Sequence, residues 1–98
     1  MIVRLATFAA PTPDVGAEAL RNLTERFQPA LVAQPGFVAG YWAEAEDGRM
    51  VSITVWESEA AAERGGAAAN ATPLLPGQDP AKIPSPDRVE TLTVVTSA

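Results

Sequence analysis

The chain has no histidine and no cysteine among its 98 residues, so any chemistry falls to arginine, amides, carboxylates, hydroxyls, one tyrosine and two tryptophans. The usual zinc, copper and non-haem iron sites need imidazole or thiolate, and Ser/His/Asp or Cys/His nucleophiles need a histidine base, so those classes are excluded. No phosphate loop replaces them, because Gly65-Gly66 lies in helical sequence without the Lys-Ser/Thr that would follow. Neither a metal nor an organic cofactor is expected. What remains is a set of side chains able to line a ligand pocket: Arg4, Asn22, Tyr41, Trp42, Trp56, Arg64 and Asn70. Arg4 can donate to a ligand oxygen or an enolate, but an ion pair with Glu90 on the last strand would satisfy it equally well. A buried tyrosine hydroxyl needs a hydrogen-bond partner, which a pocket can supply. Trp56 sits at a strand-to-helix corner and suits a core anchor better than a ligand platform, and Trp42 suits the core or an interface. Glu57 and Glu59 fit the start of a helix, where negative charge is favoured, better than an acid/base pair.

These residues are distributed over a legible series of elements. Ile2 to Phe8 is an apolar, partly β-branched run with Arg4 its single charge, and predicts a first strand. Thr12-Pro13-Asp14 offers an N-cap, a proline at the first helical position and a first-turn acid. Val15, Leu20, Leu23, Phe27 and Leu31 then form an apolar stripe, with Glu18, Arg21, Asn22, Glu25 and Arg26 on the other side. Pro29 should bend or split this helix near Glu25 to Gln28, since its ring clashes with the carbonyl four residues back. Pro35-Gly36 stops the helix, Phe37 to Ala45 is a second strand, Asp47-Gly48 a hairpin turn, and Met50 to Trp56 a third strand. Ser58 caps an alanine-rich helix in which Gly65-Gly66 means either a break or a close backbone approach. Residues 72–87 hold five prolines, too stiff for a floppy linker. They predict an ordered loop or arm that packs across a partner chain or over a pocket mouth, with Leu74, Leu75 and Ile83 buried. Val89 to Thr96 is a fourth strand. The order is βαββαβ, an α+β antiparallel sheet in a single domain over residues 1–98.

Both alternation sets of the second and third strands are apolar, so something must cover the sheet face that the helices leave open. The economical cover is the same face of a second copy, which makes a homodimer the expected state. A net charge of −5 with seven scattered Lys and Arg excludes a nucleic-acid backbone as partner. No apolar run approaches the roughly 20 residues of a membrane span, and the first residues lack the order of a signal peptide, so a soluble, cytoplasmic protein is expected.

The run from Gln34-Pro35-Gly36-Phe37 to Trp56-Glu57-Ser58-Glu59-Ala60 resembles the antibiotic biosynthesis monooxygenase-like family of the dimeric α/β-barrel superfamily. Its members commonly carry Pro-Gly-Phe before the second strand and a Trp-Glu-Ser exit from the third. The resemblance implies a ferredoxin-like βαββαβ domain that pairs into a dimeric α/β barrel, with a small pocket between helices and sheet. In the monooxygenase branch it implies oxygen chemistry without metal or cofactor, in which a bound polycyclic phenol is deprotonated and its own carbanion reduces dioxygen. Haem-degrading relatives use a histidine on the second helix, and Ala67 to Leu75 offers none. Gly65-Gly66 and the proline-rich arm depart from the typical member. The implied function is oxidation of a small aromatic or quinonoid metabolite. The alternatives are a non-catalytic dimeric protein that binds a small molecule or another chain, and a purely structural module. A wide aromatic-lined cavity favours the enzyme, whereas a helix-to-sheet space filled by Trp56, Phe27 and Leu31 favours binding.

Overall fold

Side-chain alternation decides which face of each strand meets the helices, and in this chain the decision is carried by the central strand β3, Met50–Trp56. Ser52, Thr54 and Trp56 are buried on one face while Val51, Ile53 and Val55 lie half-buried on the other. A computed structural model describes residues 1–98. Around β3 are β1 (Ile2–Phe8), β2 (Phe37–Glu44) and β4 (Arg88–Thr93), in the order β2-β3-β1-β4 with every neighbour antiparallel. The helices α1 (Pro13–Arg21), α2 (Gln28–Val32) and α3 (Glu59–Asn70) pack on one face, the ferredoxin-like α+β arrangement. No helix is long and apolar enough to cross a membrane.

The Pro-Gly-Phe and Trp-Glu-Ser segments meet in space. Gly36, at φ +83°, turns the chain where any β-carbon would collide with Ala61 at 2.6 Å, and its carbonyl accepts from the Glu57 N–H at 2.8 Å. The Phe37 ring stands edge-on to Trp56, with centroids 5.2 Å apart and planes at 82°. Trp56 is 1% exposed, and its indole Nε1 donates to Thr54 Oγ1 at 2.9 Å. Leu31, Ala61, Ala62 and Ala69 complete the buried apolar cluster. Helix α3 runs unbroken through Gly65-Gly66, and a β-carbon on Gly65 would sit 2.3 Å from the Trp56 ring. Close approach, rather than a break, explains that glycine.

Pro29 acts upstream of itself. It has no N–H to give the Glu25 carbonyl, and the chain answers by widening Asn22–Phe27 into a π-helix in which the Gln28 N–H reaches back to the Leu23 carbonyl. Of the two outcomes expected at Pro29, a bend or a split, the chain shows no split: the helical path continues through a locally distorted turn. The wider turn also carries Asn22 and Arg26 inward, so both are buried although the α-helical spacing places them on the outer side.

Local caps behave as their residue types dictate. Ser58 Oγ accepts from the Ala61 N–H at 3.1 Å. Thr12 occupies the N-cap of α1, but its hydroxyl donates to Asp14 at 2.6 Å instead of accepting from the helix, and this bond holds the Asp14 carboxyl below its ordinary value. At the hairpin, the backbone N–H and guanidinium of Arg49 both donate to Asp47 and lower its pKa likewise. Strand β4 spans Arg88–Thr93, earlier and shorter than the predicted Val89 to Thr96.

Every fully buried residue lies on the helix side of the sheet or in the arm, and none lies on the opposite face. That open face carries Val3, Leu5, Val51, Ile53 and Val55 at partial exposure, with Tyr41 63% exposed beside them. Trp56→Ala should cost about 3–5 kcal/mol of stability in urea unfolding, the usual loss for an aromatic truncated in a core. Gly65→Ala should cost about 1–3 kcal/mol despite alanine's better helix propensity, because the added methyl lands on the indole. A Gly65→Ala protein more stable than the parent would contradict the packing described.

Candidate functional site

Between the helices and the sheet lies a cleft of about 610 Å³. Its base is the helix-facing set of β1 and β3, namely Arg4, Ala6, Phe8, Met50, Ser52 and Thr54. One wall comes from α1 and the π-segment (Ala19, Leu20, Asn22, Leu23, Phe27) and the other from α3 (Ala62, Glu63, Gly66, Ala67, Asn70). Ile83, Pro84 and Pro86 of the arm form the mouth, and Trp42 closes the β2 side.

Arg4 is the only cation in this lining. Strand alternation points it at the helices, where its guanidinium lies 3.8 Å from Glu63 of α3. The predicted partner Glu90 is unavailable by register: it pairs with Leu5, faces the opposite side of the sheet and bonds Arg88 at 3.0 Å. Arg4 Nε is sealed from solvent with no acceptor. The side chain as a whole keeps 27% of its surface and its one charge partner is 3.8 Å away, so the accessible part of the guanidinium can donate to an oxygen of a ligand in the cleft.

The π-segment supplies the polar part of the helix wall. Asn22 Oδ1 accepts from the Arg26 guanidinium at 3.1 Å and from Gln78 Nε2 at 2.8 Å, leaving only its NH₂ for a ligand. Arg26 also donates to three backbone carbonyls: Asn70 at 2.9 Å, Thr72 at 2.6 Å and Pro73 at 3.2 Å. Gln78 Oε1 accepts from the Leu75 N–H at 2.8 Å, and Arg21 donates to the Pro76 carbonyl at 3.1 Å. The arm is thus an ordered strap over the cleft mouth. Leu75 and Ile83 are half-buried beneath it, but Leu74 is 42% exposed, contrary to the expectation that all three are buried, because the main chain rather than the apolar side chains anchors this stretch.

Four of the seven sequence candidates come together at the cleft: Arg4, Asn22, Trp42 and Asn70. Trp56 lies behind the wall in the core. Tyr41, one residue out of phase with Trp42, points to the open face and borders only a shallow depression of about 460 Å³ with Gln28, Val32 and Phe37. Arg64 is exposed on the outer side of α3. Sequence reasoning missed Arg26, Gln78, Glu63 and Gly66. The Asn22/Arg26 pair at i, i+4 was the available signal, since two polar residues at that spacing present one joint face. No three acidic side chains converge into a cation site.

Residues 1–64 match the family described as antibiotic biosynthesis monooxygenase. The chain belongs to that family. The family match takes in Arg4, Asn22, Arg26 and Trp42 and stops before Gly66, Asn70 and Gln78. Among solved structures, this family member is similar to Rv0793 from Mycobacterium tuberculosis, at 18% identity and TM-score 0.68 over 99% of this chain and 97% of that one. It is also similar to the monooxygenase ActVA-Orf6 of Streptomyces coelicolor, solved in complex with nanaomycin D, at 23% identity and TM-score 0.65 over 99% and 89%. A third likeness is to SnoaB, a cofactor-independent oxygenase from Streptomyces nogalater, at 19% identity and TM-score 0.66 over 98% and 94%. At these identities the likeness is one of fold. No curated protein matches the sequence.

The Arg26 latch makes a direct prediction. Arg26→Met keeps the aliphatic stem but leaves Asn22 and the arm carbonyls without their donor, which should cost about 3 kcal/mol of stability and expose the chain to proteolysis after Lys82. Arg26→Lys should fail nearly as badly, because one ammonium cannot reproduce the fork. Full resistance of the native Arg26→Met protein to trypsin at Lys82 would show that the arm is held by other means.

Proposed function

We propose that this family member oxidises a small aromatic or quinonoid metabolite with dioxygen, using no metal and no organic cofactor, in the cleft between helices and sheet. The observation that carries the reading is the lone, under-partnered Arg4 cation inside a predominantly apolar cleft. A volume of about 610 Å³ suits a ligand of that kind, and such sites combine apolar walls with a few placed polar groups.

The chemistry follows from those groups. A substrate phenol bound beside Arg4 loses its proton more readily, because a charge-assisted hydrogen bond favours the phenolate by about 1.5–3 kcal/mol, a ten- to hundredfold effect. Glu63, next to Arg4 and 66% exposed, is placed to take that proton and pass it to water. The carbanion form of the phenolate gives an electron to dioxygen, a carbon–oxygen bond forms, and the resulting peroxide anion takes a proton back from water to give a hydroperoxide. Loss of water from the hydroperoxide turns a ring CH₂ into a carbonyl. One oxygen atom ends in the product and the other in water, so the substrate supplies all the electrons. The apolar walls contribute by keeping bulk water from the reacting carbon.

The family resemblance and the open apolar sheet face together support a homodimer paired through that face. Light scattering on dilute protein should show twice the chain mass, and Ile53→Glu, which places a charge in the middle of the face, should give monomers. A monomeric parent protein would refute the pairing.

Catalysis is tested with chelator-treated protein and a hydroxyanthrone as the probe. We expect oxygen uptake above the spontaneous rate, one dioxygen per carbonyl formed, with kcat/KM reduced about ten- to hundredfold by Arg4→Gln. Tight binding of the probe without oxygen uptake would replace this reading with a non-catalytic binding protein.

A further inference from the structure

The adjacent glycines of α3 do different work. Gly65 makes room for Trp56, as described. A β-carbon on Gly66 would meet nothing within 4 Å. Its backbone asks for no glycine either, since positive φ occurs only at Gly36, Gly48 and Gly77. Mid-helix, glycine is the poorest choice after proline, and alanine would fit without strain. The one thing a side chain would take at this position is space in the cleft, which Gly66 lines.

The surroundings say what that space suits. Glu63 is three residues before Gly66 and Asn70 four after, so all three share one face of α3. Glu63 lies 3.8 Å from Arg4, so the cation stands beside the same face of α3 that carries the bare backbone at Gly66, and both line the cleft. Arg4 Nε has no acceptor, and its only carboxylate partner is long and largely solvated.

We propose that Gly66 is a specificity-determining position: the ligand's ring lies flat against the α3 backbone there, oriented by an anionic oxygen held at Arg4. The preferred ligand is a planar aromatic that carries an ionised oxygen and presents a flat face to Gly66. The inference rests on the reading above in taking the cleft as the ligand site and Arg4 as the group that holds the ligand's oxygen.

The test measures binding, not turnover. Trp42 lines the cleft, so quinones bound there quench its fluorescence. The probes are a hydroxynaphthoquinone, ionised at neutral pH, and its neutral O-methyl ether. In the parent protein the anion should bind at least tenfold tighter. Arg4→Gln should erase that preference while changing the ether's affinity less than twofold. Gly66→Leu should weaken both probes at least tenfold while the melting temperature stays at or above the parent's, since leucine improves the helix and points into open space. Gly66→Ala, also at least as heat-stable as the parent, should weaken them less than leucine does. Unchanged binding to the Gly66→Leu protein overturns this inference and leaves the oxidase reading standing, whereas equal parent affinities for anion and ether overturn this inference and take away the oxidase reading's ground at Arg4 as well. No quenching by either probe in the parent overturns both. Binding as expected without oxygen uptake in the earlier assay sustains this inference and removes the oxidase reading alone.

Discussion

The contact on which this small domain depends is the Trp56 indole pressed against the bare backbone of Gly65. It brings α3 closer to the sheet than any β-carbon at that position allows. Ala61, Ala62 and Ala69 extend the same economy of side-chain volume along the helix, and Phe37 fills the indole's edge. Strand register puts this core at one end of the sheet, where Trp56 pairs with Ile2 and Phe37. The other end, where Met50 pairs with Phe8, lies under the cleft. Packing and cavity are therefore two ends of one layer, dense where the helix has nothing to hold it off and open where α1, the π-segment and the arm stand around a space.

Two arginines on the helix side show how differently one side chain can be used. Arg26 is buried, and all three of its guanidinium nitrogens donate to carbonyl or amide acceptors. Arg4 keeps one nitrogen without a partner and a single distant carboxylate. Burying a cation costs several kcal/mol unless its donors are matched. The dense bonding of Arg26, with every nitrogen engaged, marks a structural role, and the sparse bonding of Arg4 marks a place where a ligand's oxygen adds to the set.

How much of this could be read from residue order depended on the range of the interaction. Strands β1 and β3, the Asp47-Gly48 turn and the Ser58 cap are local and were legible, as was the tension between a helix and Gly65-Gly66. Pro29 was recognised as a disturbance, but a 3.6-residue period carried through a π-turn sends Asn22 and Arg26 to the wrong side. Arg4 and Glu90 were matched by charge alone. Antiparallel parity puts them on opposite faces, and a one-residue difference in register is invisible before the strands are paired. Tyr41 and Trp42 divide between faces for the same reason. Gln78 lay beyond reach, since a proline-rich segment has no period to say which side chain turns inward.

The strap over the cleft is gripped almost entirely by its peptide groups. Arg21 and Arg26 take hold of carbonyls at Thr72, Pro73 and Pro76, which every amino acid possesses, and only Thr72 and Gln78 bond the helices through side chains of their own. The side chains at the rim, Ile83, Pro84 and Pro86, take no part in these hydrogen bonds. A fastening indifferent to side chains separates what must be inherited from what can drift. Relatives could exchange rim residues to suit new guests while the buckle stays the same, so ligand preference can diversify here without renegotiating the fold.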